Sequence, residues 1–326
     1  MQYRRVGKSG LMVSAMGIGC NPFGIEVDLP TSKAIVHRAI DHGITYFDTA
    51  DSYSRGTSED YLGQALEGRR QNVIIATKVG NPMGDGPNER GASRSHIIAS
   101  CEASLRRLRT DYIDIYQIHE PDRQTPIEET MAALDMLVRQ GKVRYLGASN
   151  FYEWEVCEAQ WTADRNGLTP FILCQDFYNL LYRDIEKRME PFCVRYGLGM
   201  VSYFPLAGAL LSGAYTRGAA IETDNKRQAR PTFKAWDSER NWTVQEQLAR
   251  FADSRGWTLP QMALAWLLTR PMTSSLIAGV DRVAHLDANM KALDVKFTAD
   301  DLTEIDRITL VDEDRTRAPI YRMRKR

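Results

Sequence analysis

Four ionisable side chains of different types stand where β-rich stretches of the sequence end. Asp48 and Tyr53 come at the end of the second predicted strand and just after it, Lys78 comes at the end of the third, and His119 closes the fourth. Each has an ordinary explanation by itself, as a helix cap, a surface charge or a core residue. Their arrival at successive strand ends predicts that they share one site.

These four side chains suit the donation of a proton to an oxygen that gains negative charge. Free tyrosine titrates near ~10, and we expect the Lys78 ammonium to draw the pKa of Tyr53 downward. A buried Lys78 needs a counter-ion, which Asp48 can supply. His119 can hydrogen-bond the substrate oxygen or Tyr53. None of the four can transfer two electrons, so a cofactor has to bring the hydride.

Short β-rich stretches alternate with amphipathic, helix-like stretches along nearly the whole chain, after a polar opening at 2–15 that predicts a β-hairpin. The predicted strands are 17–20, 44–50, 73–80, 112–119, 143–150, 172–179, 200–206 and 274–280. Predicted helices include 32–42, 93–109, 126–140 and 244–256. Ser93 is a helix start signal, and Gly141 is a stop signal after Gln140.

Eight strands separated by helices predict a parallel sheet, because parallel neighbours need crossover connections. The strand count favours a (β/α)₈ TIM barrel, and no GxGxxG follows the first strand to support an open dinucleotide-binding sheet. We therefore predict an α/β fold with one domain over 1–326, an N-terminal hairpin, and extra loops and helices at the carboxyl ends of the strands. The irregular segments 81–92 and 207–242 are candidate lids, the second including a charged patch at 222–230. The basic segment 315–326 is predicted to be a flexible tail.

Composition excludes several classes of partner. Among 326 residues, 42 Lys and Arg balance 42 Asp and Glu, so no overall charge favours nucleic acid or an anionic membrane. The most apolar long stretch, 198–215, contains Pro205 and several glycines, which argues against a membrane span. The five cysteines are scattered and odd in number, which indicates reduced thiols in a cytoplasmic protein. No His/Asp cluster has the spacing of metal ligands, so no metal is expected.

Several local motifs resemble the aldo-keto reductase superfamily. Phe47-Asp48-Thr49-Ala50 with Ser52-Tyr53, then Ala76-Thr77-Lys78, then Gln117-Ile118-His119, look like the catalytic tetrad of that family. Segment 105–114 (LRRLRTDYID) and segment 141–150 (GKVRYLGASN) are equally typical, and the order holds along essentially the whole chain. The resemblance implies the NADPH- or NADH-linked, reversible reduction of aldehydes or ketones, with Tyr53 as the proton donor.

The resemblance also implies a set of cofactor-binding residues. Those expected at the nicotinamide are Ser149, Asn150 and Gln175, which bind the carboxamide, and Tyr203, which stacks on the ring. Those expected at the pyrophosphate are Leu206, Gly208, Leu210 and Ser212. Those expected at the adenosine end are Gly279, Arg282, His285 and Asn289.

The sequence departs from the family pattern at the adenosine end. Asp281 stands where a small hydroxyl residue is common, His285 where Gln or Arg is common, and Ala214 where Lys often touches the cofactor. A carboxylate repels a 2′-phosphate but can accept a hydrogen bond from a ribose hydroxyl, whereas the Arg282 guanidinium suits a phosphate. NADPH is therefore the expected cofactor, and NADH is the open alternative.

The expected substrate is a small carbonyl compound held by Phe23, Tyr53 and His119, with loop residues 82–87 around it and Trp154 and Trp236 as further aromatic candidates. The sequence leaves a second function open, that of a cofactor-binding regulatory subunit similar to potassium-channel β subunits, with slow turnover. No partner beyond the small molecule is expected, neither nucleic acid nor membrane. A monomer and a homo-oligomer are both compatible with the sequence.

Overall fold

The computed structural model describes residues 1–218, 231–234 and 236–310. The predicted basic tail at 315–326 and the charged patch at 222–230 lie outside the described residues.

Eight parallel strands close into a barrel, as the alternating pattern predicts. They are β3 (Met16–Gly19), β4 (Tyr46–Asp48), β5 (Ile74–Val79), β6 (Ile113–Ile118), β7 (Val143–Ser149), β8 (Phe171–Phe177), β9 (Gly199–Tyr203) and β10 (Thr273–Gly279). Each strand pairs with the next in chain order, and β10 pairs with β3 to complete the ring. The predicted (β/α)₈ fold is confirmed. Its consequence is that the carboxyl ends of all eight strands meet on one face.

The predicted N-terminal hairpin is also confirmed. Strands β1 (Tyr3–Arg5) and β2 (Met12–Ser14) are antiparallel, with Tyr3 opposite Ser14. Val6 and Val13 from this segment are fully buried in one apolar cluster with residues that point into the barrel, such as Tyr46 and Ile115. The hairpin therefore covers the end of the barrel opposite the carboxyl ends of the strands.

Helices surround the barrel and bury their apolar faces against the outer side of the strands. They are α1 (Leu29–Asp41), α2 (Thr57–Ala65), α3 (Arg94–Leu108), α4 (Ile127–Arg139), α5 (Glu153–Asn166), α6 (Met189–Tyr196), α7 (Pro231–Lys234), α8 (Glu239–Ser254), α9 (Leu259–Leu267), α10 (Val283–Met290) and α11 (Ala299–Thr309). Among the described residues, no helix is both long and apolar enough to span a bilayer.

Helix boundaries follow the capping chemistry. The Ser93 side chain accepts a hydrogen bond from the His96 N–H, which confirms the predicted start of α3. By contrast, α1 begins three residues before the predicted 32–42, because the Asp28 side chain caps it by accepting from the Thr31 N–H. Helix α8 begins five residues before the predicted 244–256, because the Ser238 side chain accepts from the Asn241 N–H.

The five cysteines carry no disulfide. Cys20, Cys101, Cys174 and Cys193 are buried, and Cys157 is partly exposed. The prediction of reduced thiols in the core is confirmed for these four.

Candidate active site

The barrel brings the four predicted proton-chemistry residues to one place. Asp48 is the last residue of β4, Lys78 is the penultimate residue of β5, and His119 directly follows β6. These three strands are neighbours in the barrel. Tyr53 opens a 3₁₀ turn (Tyr53–Gly56) that follows β4 and leads into α2.

Lys78 lies at the centre of the cluster, and its ammonium is fully buried. Its Nζ donates to Asp48 Oδ1 at 2.6 Å and to the Thr49 carbonyl oxygen at 2.7 Å, and lies 3.5 Å from Tyr53 Oη. Burial alone would lower the pKa of Lys78, but the attraction of Asp48 and Tyr53 outweighs it and raises that pKa above its ordinary value. Lys78 is therefore an ammonium at neutral pH, as the expected pairing with Asp48 requires.

The expected net shift of Tyr53 was wrong in direction. Burial raises the pKa of the Tyr53 phenol above its ordinary value, and the Lys78 ammonium opposes this shift without overcoming it. The nearby Asp48 carboxylate adds to the increase. Tyr53 consequently keeps its proton at neutral pH and is in the correct form to donate it.

His119 faces Tyr53 and is oriented by a residue that the sequence did not single out. The two rings lie edge to face, with centroids 5.7 Å apart. Asn81 Nδ2 is 3.1 Å from His119 Nδ1. Because an amide nitrogen can only donate, His119 Nδ1 accepts and Nε2 carries the ring proton. The only signal in the sequence was the position of Asn81, as a polar residue soon after a buried strand.

The residues expected at the nicotinamide are joined to this cluster by hydrogen bonds. Gln175 Nε2 donates to Asp48 Oδ2 at 2.6 Å. Asn150 Nδ2 donates to the His119 carbonyl oxygen at 2.9 Å and to Ser149 Oγ at 3.1 Å, and Tyr203 Oη donates to Asn150 Oδ1. These four residues come from the ends of β7, β8 and β9, so they line the rim beside the four proton-chemistry residues.

The residues expected at the pyrophosphate lie on a 3₁₀ segment, Ala207–Ser212, that follows β9. Gly208 and Ala209 adopt left-handed conformations there, at φ 63° and 83°. A left-handed turn that contains a glycine lets the backbone come close to a ligand, so the pyrophosphate contact of this segment stays a prediction. Leu210 is fully buried, so only its backbone can face a ligand.

The residues expected at the adenosine end lie where β10 meets α10. Gly279 ends the strand, and Arg282 precedes the first residue of the helix with 63% of its side chain exposed. Asp281 Oδ1 lies 2.5 Å from His285 Nδ1 and 3.4 Å from Arg282 Nε. The departure from the family pattern at Asp281 therefore engages the arginine expected to bind a phosphate.

The aromatic candidates for the substrate pocket are not all at the rim. Phe23 is fully buried, although its carbonyl oxygen accepts from Ser54 Oγ at 2.8 Å in the turn that carries Tyr53. Its contact with substrate stays a prediction. Trp154 lies on the outer side of the barrel on α5, 56% exposed. Trp236 is buried and stacks on Phe177, whose ring also supports Tyr203 edge-on at 5.4 Å between centroids.

Backbone strain is concentrated at this face of the barrel. Seven described residues other than glycine have positive φ, and six of them follow the strands β4, β7 or β9. They are Ser54, Arg55, Asn150, Phe204, Ala207 and Ala209. Such conformations cost free energy and persist only where surrounding structure holds them, so their clustering marks a functional surface. In the described part of the chain, no group of three or more potential ligands is arranged to hold a metal ion.

Comparison with known proteins agrees with this geometry. The sequence model of the Aldo/keto reductase family matches residues 15–309. The chain is 37% identical over 309 residues to a probable voltage-gated potassium channel subunit beta of Arabidopsis thaliana, covering 90% of this chain and 92% of that protein. It is 34% identical over 328 residues to versiconal hemiacetal acetate reductase of Aspergillus parasiticus (93% and 95% covered). It is 35% identical over 318 residues to L-glyceraldehyde 3-phosphate reductase of Escherichia coli K12 (94% and 92% covered).

Proposed function

Because the chain belongs to the aldo/keto reductase family, we propose that it reduces an aldehyde or ketone to an alcohol, reversibly, with NADP(H) as the hydride carrier. The observation that supports this most is the unbroken line of contacts from Asp48 through Lys78 to Tyr53, at 2.6 and 3.5 Å. Two of the similar proteins are named as reductases. The substrate proposed here is a small-molecule carbonyl compound.

In this proposal, the protein supplies the proton and polarises the carbonyl group. The hydride for the carbonyl carbon would come from a dihydronicotinamide ring, which Asn150, Gln175 and Tyr203 would hold. The N–H at His119 Nε2 donates a hydrogen bond to the carbonyl oxygen, which gains negative charge as the carbon is reduced. Tyr53 Oη then gives its proton to that oxygen, and the alcohol forms. The tyrosinate that remains is stabilised by the Lys78 ammonium and takes up a proton again from water.

Residues on the rim from β7 to β10 fit such a cofactor. Tyr203 presents a partly exposed aromatic ring, and Gly208 in the left-handed segment leaves room for a pyrophosphate to approach the backbone. Arg282 supports NADPH, because a guanidinium binds a 2′-phosphate through paired donors. Asp281 supports the alternative, NADH, since a carboxylate accepts from a ribose hydroxyl.

The test is loss of the reduced-cofactor absorbance with a panel of aldehydes and ketones, run with NADPH and with NADH. Turnover of any carbonyl in the panel supports the reductase. Comparing kcat/KM for the two cofactors decides between them, and a clear preference for NADH would overturn the NADPH assignment.

A second function is favoured by the likeness to a protein named as a potassium channel β subunit. In that role the chain binds cofactor tightly and turns over slowly as a regulatory subunit. A flat absorbance trace together with cofactor retained through gel filtration would favour this second role over the reductase.

The remaining proposals concern organisation. We propose that 1–326 forms one functional domain, since a single barrel carries all the candidate site residues. A cytoplasmic location agrees with five unbridged cysteines.

A further inference from the structure

Asp51 is a buried acid whose charge the mechanism above does not use. It lies between Asp48 and Tyr53 in sequence, and its backbone N–H donates to the Lys78 carbonyl oxygen at 3.2 Å. Its side chain is fully buried. Within the described part of the chain, neither carboxyl oxygen makes a hydrogen bond of normal geometry. A buried carboxylate without such partners is costly, so the neutral form is favoured.

The charges that face Asp51 come from each element packed around it. Glu59 on α2 repels a charged Asp51, while Arg107 on α3 and Lys78 on β5 attract it. The Tyr116 phenol on β6 is a further titratable neighbour. Both cations already have carboxylate partners, since Arg107 Nε donates to Glu59 Oε2 at 2.7 Å and Lys78 Nζ donates to Asp48.

Asp51 is therefore left without a dedicated counter-ion. Burial, with Glu59 second, raises the pKa of Asp51 to about 7, and the Ser52 N–H, Arg107 and Lys78 oppose this increase. The Asp51 carboxyl therefore changes charge near neutral pH, and it lies two residues before Tyr53, the proposed proton donor.

The turn that follows Asp51 in the sequence is strained, so the surrounding packing must hold it in place. Ser54 and Arg55 have φ of 51° and 52°, and Gly56 has φ of 93°. Three successive left-handed residues persist only where the surrounding packing holds them. Tyr53 enters this turn two residues after Asp51, so the packing of Asp51 bears directly on where the phenol stands.

We propose that Asp51 is a positioning residue: its neutral carboxyl allows the turn to hold Tyr53 against Lys78, and its ionisation displaces the turn and lowers turnover. The inference rests on the reductase function proposed above. A carboxylate at Asp51 is repelled by Glu59 and gains hydration by moving outward, and the movement carries Tyr53 with it. The added negative charge also makes the phenol a weaker acid.

The first test is the pH dependence of kcat for carbonyl reduction at saturating cofactor. Above pH 7, wild-type kcat falls by about tenfold per pH unit, because the Asp51 carboxyl loses one essential proton. Asp51→Asn keeps the neutral shape of the side chain, so it retains activity at pH 8–9 with an unchanged KM for the cofactor. The control is Asp60→Asn, which removes an exposed carboxylate on the same helix as Glu59, and this variant keeps the wild-type fall.

The second test does not depend on activity. Because the pKa of Asp51 is raised to about 7 from 3.8, the stability due to its proton is fully present below about pH 4 and is lost as pH rises through 7. The Tm of Asp51→Asn relative to wild type therefore increases between about pH 5 and pH 7 and levels off by about pH 8. The proposal is overturned if the Tm difference between Asp51→Asn and wild type does not change with pH. It is also overturned if kcat of Asp51→Asn falls with rising pH as steeply as kcat of wild type. Absence of turnover in every variant at every pH would instead remove the reductase function, while the Tm series would still report whether Asp51 is protonated.

Discussion

At the scale of single residues, the site depends on a fully buried ion pair. Asp48 and Lys78 have 2% and 0% of their side chains exposed. Such a pair contributes little net stability, because desolvation offsets the attraction between the charges. Removing one partner is different, since the other is left as an uncompensated buried charge. The pair is therefore best explained by what it does for Tyr53.

This reasoning predicts the outcome of Lys78→Met. The variant should lose carbonyl reduction and also about 3–5 kcal/mol of unfolding free energy, because Asp48 stays buried without its cation. Urea denaturation measures the second effect.

The matched control is the double variant Asp48→Asn/Lys78→Met, in which no buried charge is left unpaired. It should recover part of the stability and none of the activity. If Lys78→Met alone were as stable as wild type, the result would contradict the proposed role of the buried ion pair.

The sequence predicted which residues meet here but not all of their properties. Residue types at strand ends located Asp48, Tyr53, Lys78 and His119 correctly. The net pKa shift of Tyr53 could not be read from the sequence, because it depends on how burial compares with the field of Lys78. The contact of Asn81 with His119 depends on the path of a loop, which local patterning does not encode.

At the scale of elements, the hairpin at the closed end of the barrel depends on one close approach. Gly7 has φ of +54°, and a Cβ there would lie 2.3 Å from the Gly197 carbonyl oxygen. A backbone oxygen cannot move aside cheaply. Only glycine fits between the hairpin and the start of β9.

We therefore predict that Gly7→Ala is strongly destabilising in thermal unfolding. The control is Gly68→Ala, since Gly68 has φ of +72° with open space around its Cβ position. The Gly68→Ala control should lose only the unfolding free energy that a left-handed alanine costs, about 1–2 kcal/mol. Gly7→Ala should cost clearly more than this, and equal losses in the two variants would show that the contact with Gly197 is unimportant.

Helices and strands were predictable because the period of the hydrophobic pattern and the turn-forming residues indicate the same elements along the chain. Each of the eight predicted strands overlaps an observed one, and the Ser93 cap begins α3 as expected. The starts of α1 and α8 were missed because the capping residues, Asp28 and Ser238, lie in front of the apolar pattern. Amphipathic periodicity marks the buried face of a helix, and the first three residues of α1, which are not buried, leave no such mark.

At the scale of the whole molecule, the barrel sets a continuous rim from β4 to β10. Tyr53, the proposed proton donor, lies at one part of the rim, and the expected adenosine site at β10 lies next to β3, where the ring closes. Closure of eight parallel strands was predictable from their number and the helices between them. The contacts that Asp281 makes with Arg282 and His285 were not predictable from local patterning.

Cofactor preference gives a prediction at this scale. In Asp281→Ser, Arg282 loses a competing carboxylate, and a 2′-phosphate no longer faces a negative charge. The ratio of kcat/KM for NADPH over NADH should rise by about tenfold, equivalent to ~1.4 kcal/mol.

The control is Asp287→Ser on α10, the helix that begins two residues after Asp281. Asp287 binds Arg38 and His42 of α1, so its loss should leave the ratio unchanged. An Asp281→Ser ratio equal to that of wild type would show that this carboxylate does not govern the choice.

The most direct test of the central claim is turnover of a carbonyl substrate by Tyr53→Phe at saturating reduced cofactor, with cofactor affinity measured alongside. The variant removes only the hydroxyl that lies 3.5 Å from Lys78 Nζ. The account predicts that turnover falls by about 10²–10⁴-fold while the Kd for the cofactor stays close to that of wild type. Turnover near the wild-type value in Tyr53→Phe would contradict it, because another group would then have to supply the proton.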